Sequence, residues 1–342
     1  MTHYNLAFVG FGNVGQALAH LLLQKQAEIR HDYGVTFSTT GIATGRHGYA
    51  IDPDGIDLGK ALASLEAGTS LAQLSKIPAV QSASDLLQHC GADVLFENTP
   101  VNYATGQPAL DHLQRALNLG MHAITANKGP VVHAYPQLSQ LAASKGRKFL
   151  FESTVMDGAP IFSLFRSALP AARVRAFRGI LNSTTNLILG RMEAGESFEQ
   201  AVAYAQSIGI AETDPSGDID GWDAAIKVAC LVTVLMGIPL KPDQIERQGI
   251  RNITAQDLAH AKSQGRRWKL VCTARSDDGE INARVKPELI NSDSPLFHIE
   301  GTTSIVQFES DVLGLLSIIE SDPGPHTTAY GLLADFLNAV RS

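Results

Sequence analysis

Between Ile210 and Lys227 the chain sets five carboxylates, Glu212, Asp214, Asp218, Asp220 and Asp223, ahead of a single lysine. Such a run first suggests a calcium loop. Ser216, Asp218 and Asp220 fit positions 1, 3 and 5, and Gly221 fits position 6, but the twelfth position, which needs a bidentate Glu, is Lys227. Calcium is therefore rejected, and the carboxylates are read as partners for a cationic or amine-bearing substrate. Asp223 and Lys227 are four residues apart, so on a helix they share a face. Ile226, Val228, Ala229 and Leu231 make that helix apolar, and a lysine there needs a partner or a task. A structural ion pair with Asp223 and a role as acid or base both satisfy this requirement.

Three other stretches carry chemistry. Asn182-Ser183-Thr184-Thr185-Asn186 is a run of small polar residues between an apolar strand and an apolar helix. A helix cap, for which Ser183 or Thr184 would serve, needs one such residue. The excess points to a polar pocket wall, with Asn182 and Thr184 as substrate-binding candidates. Thr125-Ala126-Asn127-Lys128-Gly129-Pro130 follows a short strand, and ligands of open parallel sheets bind beyond the carboxyl ends of strands, where Lys128 would sit. Gly10-Phe11-Gly12-Asn13-Val14-Gly15 matches G-x-G-x-x-G directly after an apolar strand and at the start of a helix. In that setting the first glycine allows the turn, the second admits a pyrophosphate, and the third lets helix and sheet approach. The helix N-terminus adds N–H donors and a positive dipole end. The second strand ends in Thr44-Gly45-Arg46-His47, with no carboxylate for a ribose diol. Arg46 and His47 suit a 2′-phosphate instead, which favours NADP over NAD.

The elements that must hold these groups follow from patterning. Strands are predicted at Asn5–Val9, Phe37–Ala43, Asp93–Phe96, His122–Thr125 and Lys148–Phe151. Helices are predicted at Val14–Gln26, Lys60–Leu74, Ala83–His89, Gln107–Leu119 and Tyr135–Ser144. This alternation implies an α/β, Rossmann-type doubly wound parallel sheet with helices on both faces. The second half reads as α+β. A strand at Arg173–Leu181 precedes helices at Thr184–Met192, Phe198–Ser207 and Trp222–Met236, with Ser197 and Gln200 as a capping box. Strands then follow around Leu270, Val285, Ile305 and Leu315, and a closing helix at His326–Val340. At about 150 residues per domain, 342 residues make two. They are read as 1–150, completed by a C-terminal helix at 322–342, and 151–321.

Composition excludes some classes. The net charge of −7 argues against nucleic-acid binding, and no apolar run is long enough to span a membrane. No secretory leader is read at the N-terminus. Cys90, Cys230 and Cys272 are odd in number and far apart, which fits a reducing cytoplasm rather than a disulfide framework. Cys230 and Cys272 lie in apolar runs and Cys90 ends a helix beside Gly91 with no polar constellation, so none reads as a nucleophile.

Taken together, the motifs resemble those of the homoserine dehydrogenase family over nearly the whole chain. They are the glycine loop, A-N-K-x-P at Ala126–Pro130, L-N-x-T-x-N at Leu181–Asn186, and E-x-D-P…G-x-D-A-A-x-K from Glu212 to Lys227. The resemblance implies NAD(P)-dependent interconversion of L-homoserine and L-aspartate 4-semialdehyde, in the pathway to threonine and methionine, by a homodimer joined through the second domain. It implies Lys227 as acid/base with Asp223 at the substrate hydroxyl, and Lys128 as a second catalytic lysine at the nicotinamide. Glu212 and Asp218 would hold the α-ammonium, and Asn98, Thr99 and Pro100 would line the cofactor. It also implies a Na+ or K+ site built from the backbone carbonyls of Glu152, Val155, Asp157 and Ala159.

Hydride delivery to an aldehyde builds negative charge on oxygen, which a nearby ammonium stabilises before giving up its proton. The chain departs from the family in having Ser183 for Gly, Met156-Asp157-Gly158 for Gly-Ala-Gly, and a late stretch reduced to Asp322-Pro323-Gly324-Pro325. These departures leave room for another small amino-acid-derived alcohol or aldehyde. A phosphorylating semialdehyde dehydrogenase would need a nucleophilic cysteine, and a non-catalytic NADP-binding protein would lack the lysines. The chain stops at Ser342, where the resemblance implies that relatives with a C-terminal ACT sensor continue for roughly 80 residues, more than half of a typical small domain, so a form without that sensor is expected.

Overall fold

The computed structural model describes residues 1–77, 80–277 and 279–341. The chain forms two compact units, Met1–Pro160 with Pro325–Ser342, and Ile161–Gly324. Among the described residues no helix is long and apolar enough to cross a membrane.

The first unit runs β1 (Thr2–Val9), α1 (Asn13–Tyr33), β2 (Val35–Ala43), β3 (Tyr49–Ile56), α2 (Leu58–Glu66), α3 (Ala83–His89), β4 (Val94–Glu97), α4 (Ala109–Asn118), β5 (His122–Thr125), α5 (Lys128–Ser144) and β6 (Phe149–Leu150), and closes with helix Pro325–Val340. Its sheet has the order β3-β2-β1-β4-β5-β6. The central strand β1 lies parallel between β2 and β4, and its four residues Leu6–Val9 are all buried, as a strand covered on both faces requires. Leu6 and Phe8 join the core formed with α1, α2 and the closing helix, which includes Leu18, Leu22 and Phe336.

Several expected elements differ in extent. The sheet is not wholly parallel: β3 runs antiparallel to β2 at the edge. A turn closed by the Thr44 N–H donating to the Gly48 carbonyl at 2.9 Å, with Gly48 at φ +78°, returns the chain as a hairpin. Pro53 within β3 hid this strand from the pattern, yet an edge strand tolerates it. Helix α1 extends to Tyr33, because Ile29 continues the buried stripe until Gly34, at φ +65°, stops it. The predicted helix Lys60–Leu74 is two pieces, α2 capped by Asp57 and a 3-10 turn at Leu71–Leu74, with Gly68 at φ +67° between them. Helix α5 starts at Lys128 and is kinked at Ala134, near Pro136, whose ring cannot sit in a regular helix interior.

The second unit runs β7 (Val174–Ile180), α6 (Ser183–Glu193), α7 (Phe198–Ser207), α8 (Ser216–Ile219), α9 (Trp222–Leu231), β8 (Glu246–Arg247), α10 (Ala255–Ser263), β9 (Arg266–Asp277), β10 (Glu280–Asn291), β11 (Ser304–Ser310) and β12 (Gly314–Glu320). Its sheet order is β12-β11-β7-β9-β10-β8, antiparallel throughout except for the β10–β8 pair. Helices α6 and α9 pack on β9. The capping box of Ser197 and Gln200 opens α7 as the pattern implies. A second box, Thr254 with Asp257, opens α10, a helix the periodicity did not reveal. Beyond Leu231, α9 widens into a π turn at Val232–Met236 that ends at Gly237.

Candidate active site

In the second unit the chemistry gathers at the N-terminal end of α6. The α6 cap is Asn182, not Ser183 or Thr184; its side-chain oxygen accepts from the Thr185 N–H at 2.8 Å. Asn182 Nδ2 donates to Asp218 Oδ1 at 2.6 Å and to Asp223 Oδ2 at 3.1 Å. Asp223 Oδ2 lies 2.9 Å from Lys227 Nζ, one helical turn along α9. Lys227 Nζ also donates to the Leu181 carbonyl at 2.7 Å. The ammonium is thus fixed between a carboxylate and the carbonyl at the end of the β7–α6 connection. Thr184 lies in the same cluster and donates to the Ile210 carbonyl at 3.2 Å. Burial, and then the Asp223 carboxylate, raises the Asp218 carboxyl above the usual range, against the opposing pull of Asn182, Lys227 and Thr184.

The remaining carboxylates of that run do other work. Asp214 accepts from the Ser216 N–H at 3.1 Å in a local turn. Asp220 pairs with Arg251 at 2.5 Å, and its carbonyl accepts from Arg247, which stacks on Trp222. Together these tether the start of α9. Glu212 is exposed and makes no side-chain hydrogen bond to the cluster; its carbonyl is held by Gln206 Nε2 at 3.1 Å. The polar run 182–186 likewise divides. Asn182 and Thr184 belong to the cluster, whereas Ser183 Oγ approaches Ser304 Oγ at 3.4 Å. Asn186 anchors the loop before β11, donating to the Gly301 carbonyl at 3.0 Å and accepting from buried Lys269 at 2.8 Å. Burial lowers the Lys269 ammonium to about 8.

In the first unit the glycine loop joins β1 to α1. Gly12 is the N-cap of α1, makes no side-chain cap bond, and has open space where a Cβ would stand. Gly10 has φ +90°, and a Cβ there would lie 2.5 Å from the Asn98 carbonyl. A Cβ at Gly15 would lie 2.8 Å from the Gly10 carbonyl oxygen, so this glycine serves close packing. Phe11 is buried edge-on against Phe8, which leaves only its backbone to the loop, while Asn13 is exposed and Val14 half-buried. At the end of β4, neither Nδ2 nor Oδ1 of the buried Asn98 amide finds a partner among the described residues. A buried amide with both ends unsatisfied is costly and calls for a ligand. Together with the open helix N-terminus, it fits a bound dinucleotide.

Beside Asn98 stands a group the sequence reading missed. Glu97 is fully buried at the end of β4 and accepts from Thr99 Oγ1, from the Thr99 N–H at 3.2 Å and from Thr125 Oγ1 at 3.1 Å, with His112 Nδ1 3.5 Å away. An acid directly after a buried apolar strand, in Phe-Glu-Asn-Thr-Pro, was the available signal. Pro100 is exposed. Asn127 caps α5, accepting from the Gly129 N–H at 3.0 Å while donating to the Thr99 and Pro100 carbonyls at 2.9 and 3.3 Å. It thereby ties Lys128, the first residue of α5 and half-buried, to the loop after β4. Arg46 is exposed at the β2–β3 turn and makes no hydrogen bond or ion pair with a described residue, whereas His47 Nδ1 is 3.0 Å from the Thr69 carbonyl.

The segment from Glu152 to Ala159 lies in the same unit. The Glu152 N–H donates to Asp335 Oδ2 at 2.7 Å, and Thr327 Oγ1 donates to Asp157 Oδ2 at 2.9 Å, with Asp157 at φ +38°. Val155 and Ala159 are buried, and the Ala159 N–H donates to the Met156 carbonyl at 2.8 Å. All three cysteines are buried, and burial pushes the thiols of Cys90 and Cys272 up to about 11 and about 12. Neither of those two thiols supplies the thiolate a phosphorylating semialdehyde dehydrogenase requires.

Comparison with known proteins adds to this geometry. Residues 10–152 match the family model for the homoserine dehydrogenase NAD-binding domain, and residues 160–337 match that for homoserine dehydrogenase. The chain is 36% identical to an NAD(+)-dependent homoserine dehydrogenase of Pseudomonas canavaninivorans, over 100% of this chain and 97% of that protein. It is 35% identical to a homoserine dehydrogenase of Methanocaldococcus jannaschii, over 99% of each. Among solved structures, a hyperthermophilic archaeal homoserine dehydrogenase in complex with NADPH superposes with a TM-score of 0.83 at 29% identity, covering 99% of this chain and 98% of that one.

Proposed function

The chain belongs to the homoserine dehydrogenase family of NAD(P)-dependent oxidoreductases, and from that premise we propose that it oxidises L-homoserine to L-aspartate 4-semialdehyde, and reduces it back, with NADP as the preferred cofactor. The observation that carries the reading is the Lys227–Asp223–Asn182–Asp218 cluster. It joins an ammonium able to act at a hydroxyl with carboxylates able to hold an α-ammonium.

In this reading Lys227, with Asp223 beside it, sits at the substrate oxygen. As a neutral base it takes the hydroxyl proton during oxidation, and as an ammonium it stabilises and protonates the oxygen during reduction. Asp218, with Thr184 in the same cluster, binds the amino-acid end. Glu212 joins it on family resemblance alone, since it is exposed and makes no side-chain hydrogen bond to the cluster. The nicotinamide, when bound, accepts or returns the hydride. Gly10, Phe11, Gly12, Asn13, Val14 and Gly15 supply the backbone of the phosphate turn, and Asn98, Thr99 and Pro100 the wall beyond β4. Lys128 serves as the second lysine on the cofactor unit.

Preference for NADP rests on exposed Arg46, whose guanidinium makes no hydrogen bond or ion pair with a described residue, and on the missing carboxylate after β2. A Na+ or K+ ion held by the carbonyls of Glu152, Val155, Asp157 and Ala159 is supported by the tight fixing of that segment through Asp335 and Thr327. A homodimer through the second unit is supported by the exposed apolar side chains of Leu313, Leu315 and Ile319 at its edge strand. The purified protein, given L-homoserine and NADP+ at alkaline pH, is expected to produce the absorbance of the reduced nicotinamide. Absence of turnover with either cofactor overturns the proposal.

A further inference from the structure

The Asn182 side chain has two donor hydrogens and one carbonyl oxygen with two acceptor positions. Both hydrogens are spent, on Asp218 Oδ1 at 2.6 Å and Asp223 Oδ2 at 3.1 Å. The oxygen accepts from the Thr185 N–H at 2.8 Å, and Thr185 Oγ1, whose one hydrogen it shares with the Asn182 backbone carbonyl, stands at 2.8 Å as well. The amide orientation is fixed by chemistry, because the opposite flip would face a carbonyl oxygen towards two carboxylates and an NH2 group towards the Thr185 N–H. The residue is 3% exposed. Neither donor hydrogen remains for a ligand. The same oxygen that caps α6 therefore locks the amide in the position that bridges the two acids.

We propose that Asn182 is a positioning residue rather than a substrate ligand: it clamps Asp218 of α8 and Asp223 of α9 to the start of α6, and so sets the spacing of the two carboxylates that receive the amino-acid substrate. The inference rests on the functional reading above and deepens it. Without the clamp, two partly buried acids would face each other with fewer donors between them. The groups around Asp218 are Asp223 and Lys227 on α9 and Asn182 and Thr184 on α6. Of these Asn182 donates to both acids. Loss of its NH2 would raise the carboxyl further, because a hydrogen bond to the charged form favours that form.

The capping and clamping roles separate by substitution. Asn182→Ser keeps a good cap oxygen and loses the NH2. Asn182→Asp also keeps the cap but places a third carboxylate between the other two. Both variants are expected to melt within a few degrees of wild type. For Asn182→Ser the KM for L-homoserine should rise about tenfold, the scale of a hydrogen bond to a charged group. The KM for NADP+ should stay unchanged, and the acid limb of kcat/KM should move to higher pH by about one unit. Asn182→Asp should exceed it on both measures. An unchanged homoserine KM and pH profile in Asn182→Ser, beside an active wild type, overturns the clamp and leaves the functional reading standing. An inactive wild type overturns that reading instead. Loss of the folded transition in both cap-preserving variants would assign Asn182 to folding and overturn the proposal as well.

Discussion

Replacing Arg46 by alanine should abolish discrimination between the two nicotinamide cofactors while leaving use of NAD+ intact. Arg46 stands exposed at the turn after β2 and is held by no hydrogen bond or ion pair to a described residue, so its removal breaks no such bond among them. A hydrogen bond to a charged group contributes about 1.5–3 kcal/mol. An exposed guanidinium competes with water and salt, which places the 2′-phosphate contact at the lower end, about 1.5 kcal/mol. That corresponds to roughly a tenfold loss in kcat/KM for NADP+. The change for NAD+, which has no 2′-phosphate, should be less than about twofold by the same reasoning. The assay is the initial rate of nicotinamide reduction with saturating L-homoserine and varied cofactor, for wild type and variant. Raising the ionic strength should shrink the wild-type preference, since exposed charge pairs are screened. Equal losses for both cofactors, or a wild type that prefers NAD+, would refute the assignment.

His122, buried at the start of β5, accepts from the Lys148 N–H at 3.1 Å, and burial, then the Arg147 and Lys148 charges, push it down to about 4. The unfolded chain therefore binds a proton near pH 6.5 that the folded one refuses. The His122 contribution is complete above pH 6.5 and is lost as pH falls towards 4, by up to about 3 kcal/mol. Denaturant titrations of wild type and His122→Gln should diverge in slope across that window, and parallel curves would contradict the assignment. Gly10→Ala puts a Cβ 2.5 Å from the Asn98 carbonyl at φ +90°, so stability should fall by about 3 kcal/mol or more. A variant melting like wild type would show that the loop has slack the structure lacks.

The glycine loop and the polar block from Glu212 to Lys227 were legible because their chemistry is local. Three glycines at fixed spacing, and an acid and a lysine one turn apart, carry their geometry in the sequence. The bridge between Asn182 and the acids 36 and 41 residues later was not, because nothing local tells which amide meets which carboxylate once α6, α8 and α9 pack. The cap of α6 falls on Asn182, one or two residues before the expected Ser183 or Thr184, for a related reason. Ser183, Thr184 and Asn182 are all capable caps, and the bond to Thr185 decides among them. The antiparallel β3 was hidden by Pro53 and paired acids, residues that an edge strand accepts and a central strand does not. Glu97 was passed over because its partners Thr99, Thr125 and His112 come from three separate elements, and only the closed sheet brings them together.

The central claim is that the Lys227 ammonium, fixed by Asp223 and the Leu181 carbonyl, performs the proton transfer on the substrate oxygen. The most direct measurement is kcat for L-homoserine oxidation by Lys227→Met, made on protein shown to melt cooperatively and to bind NADP+ like wild type. Removal of a positioned general acid–base costs about 10²–10⁴ in rate, and a loss of that size is the expected result. A Lys227→Met protein that turned over L-homoserine at the wild-type kcat would contradict the account.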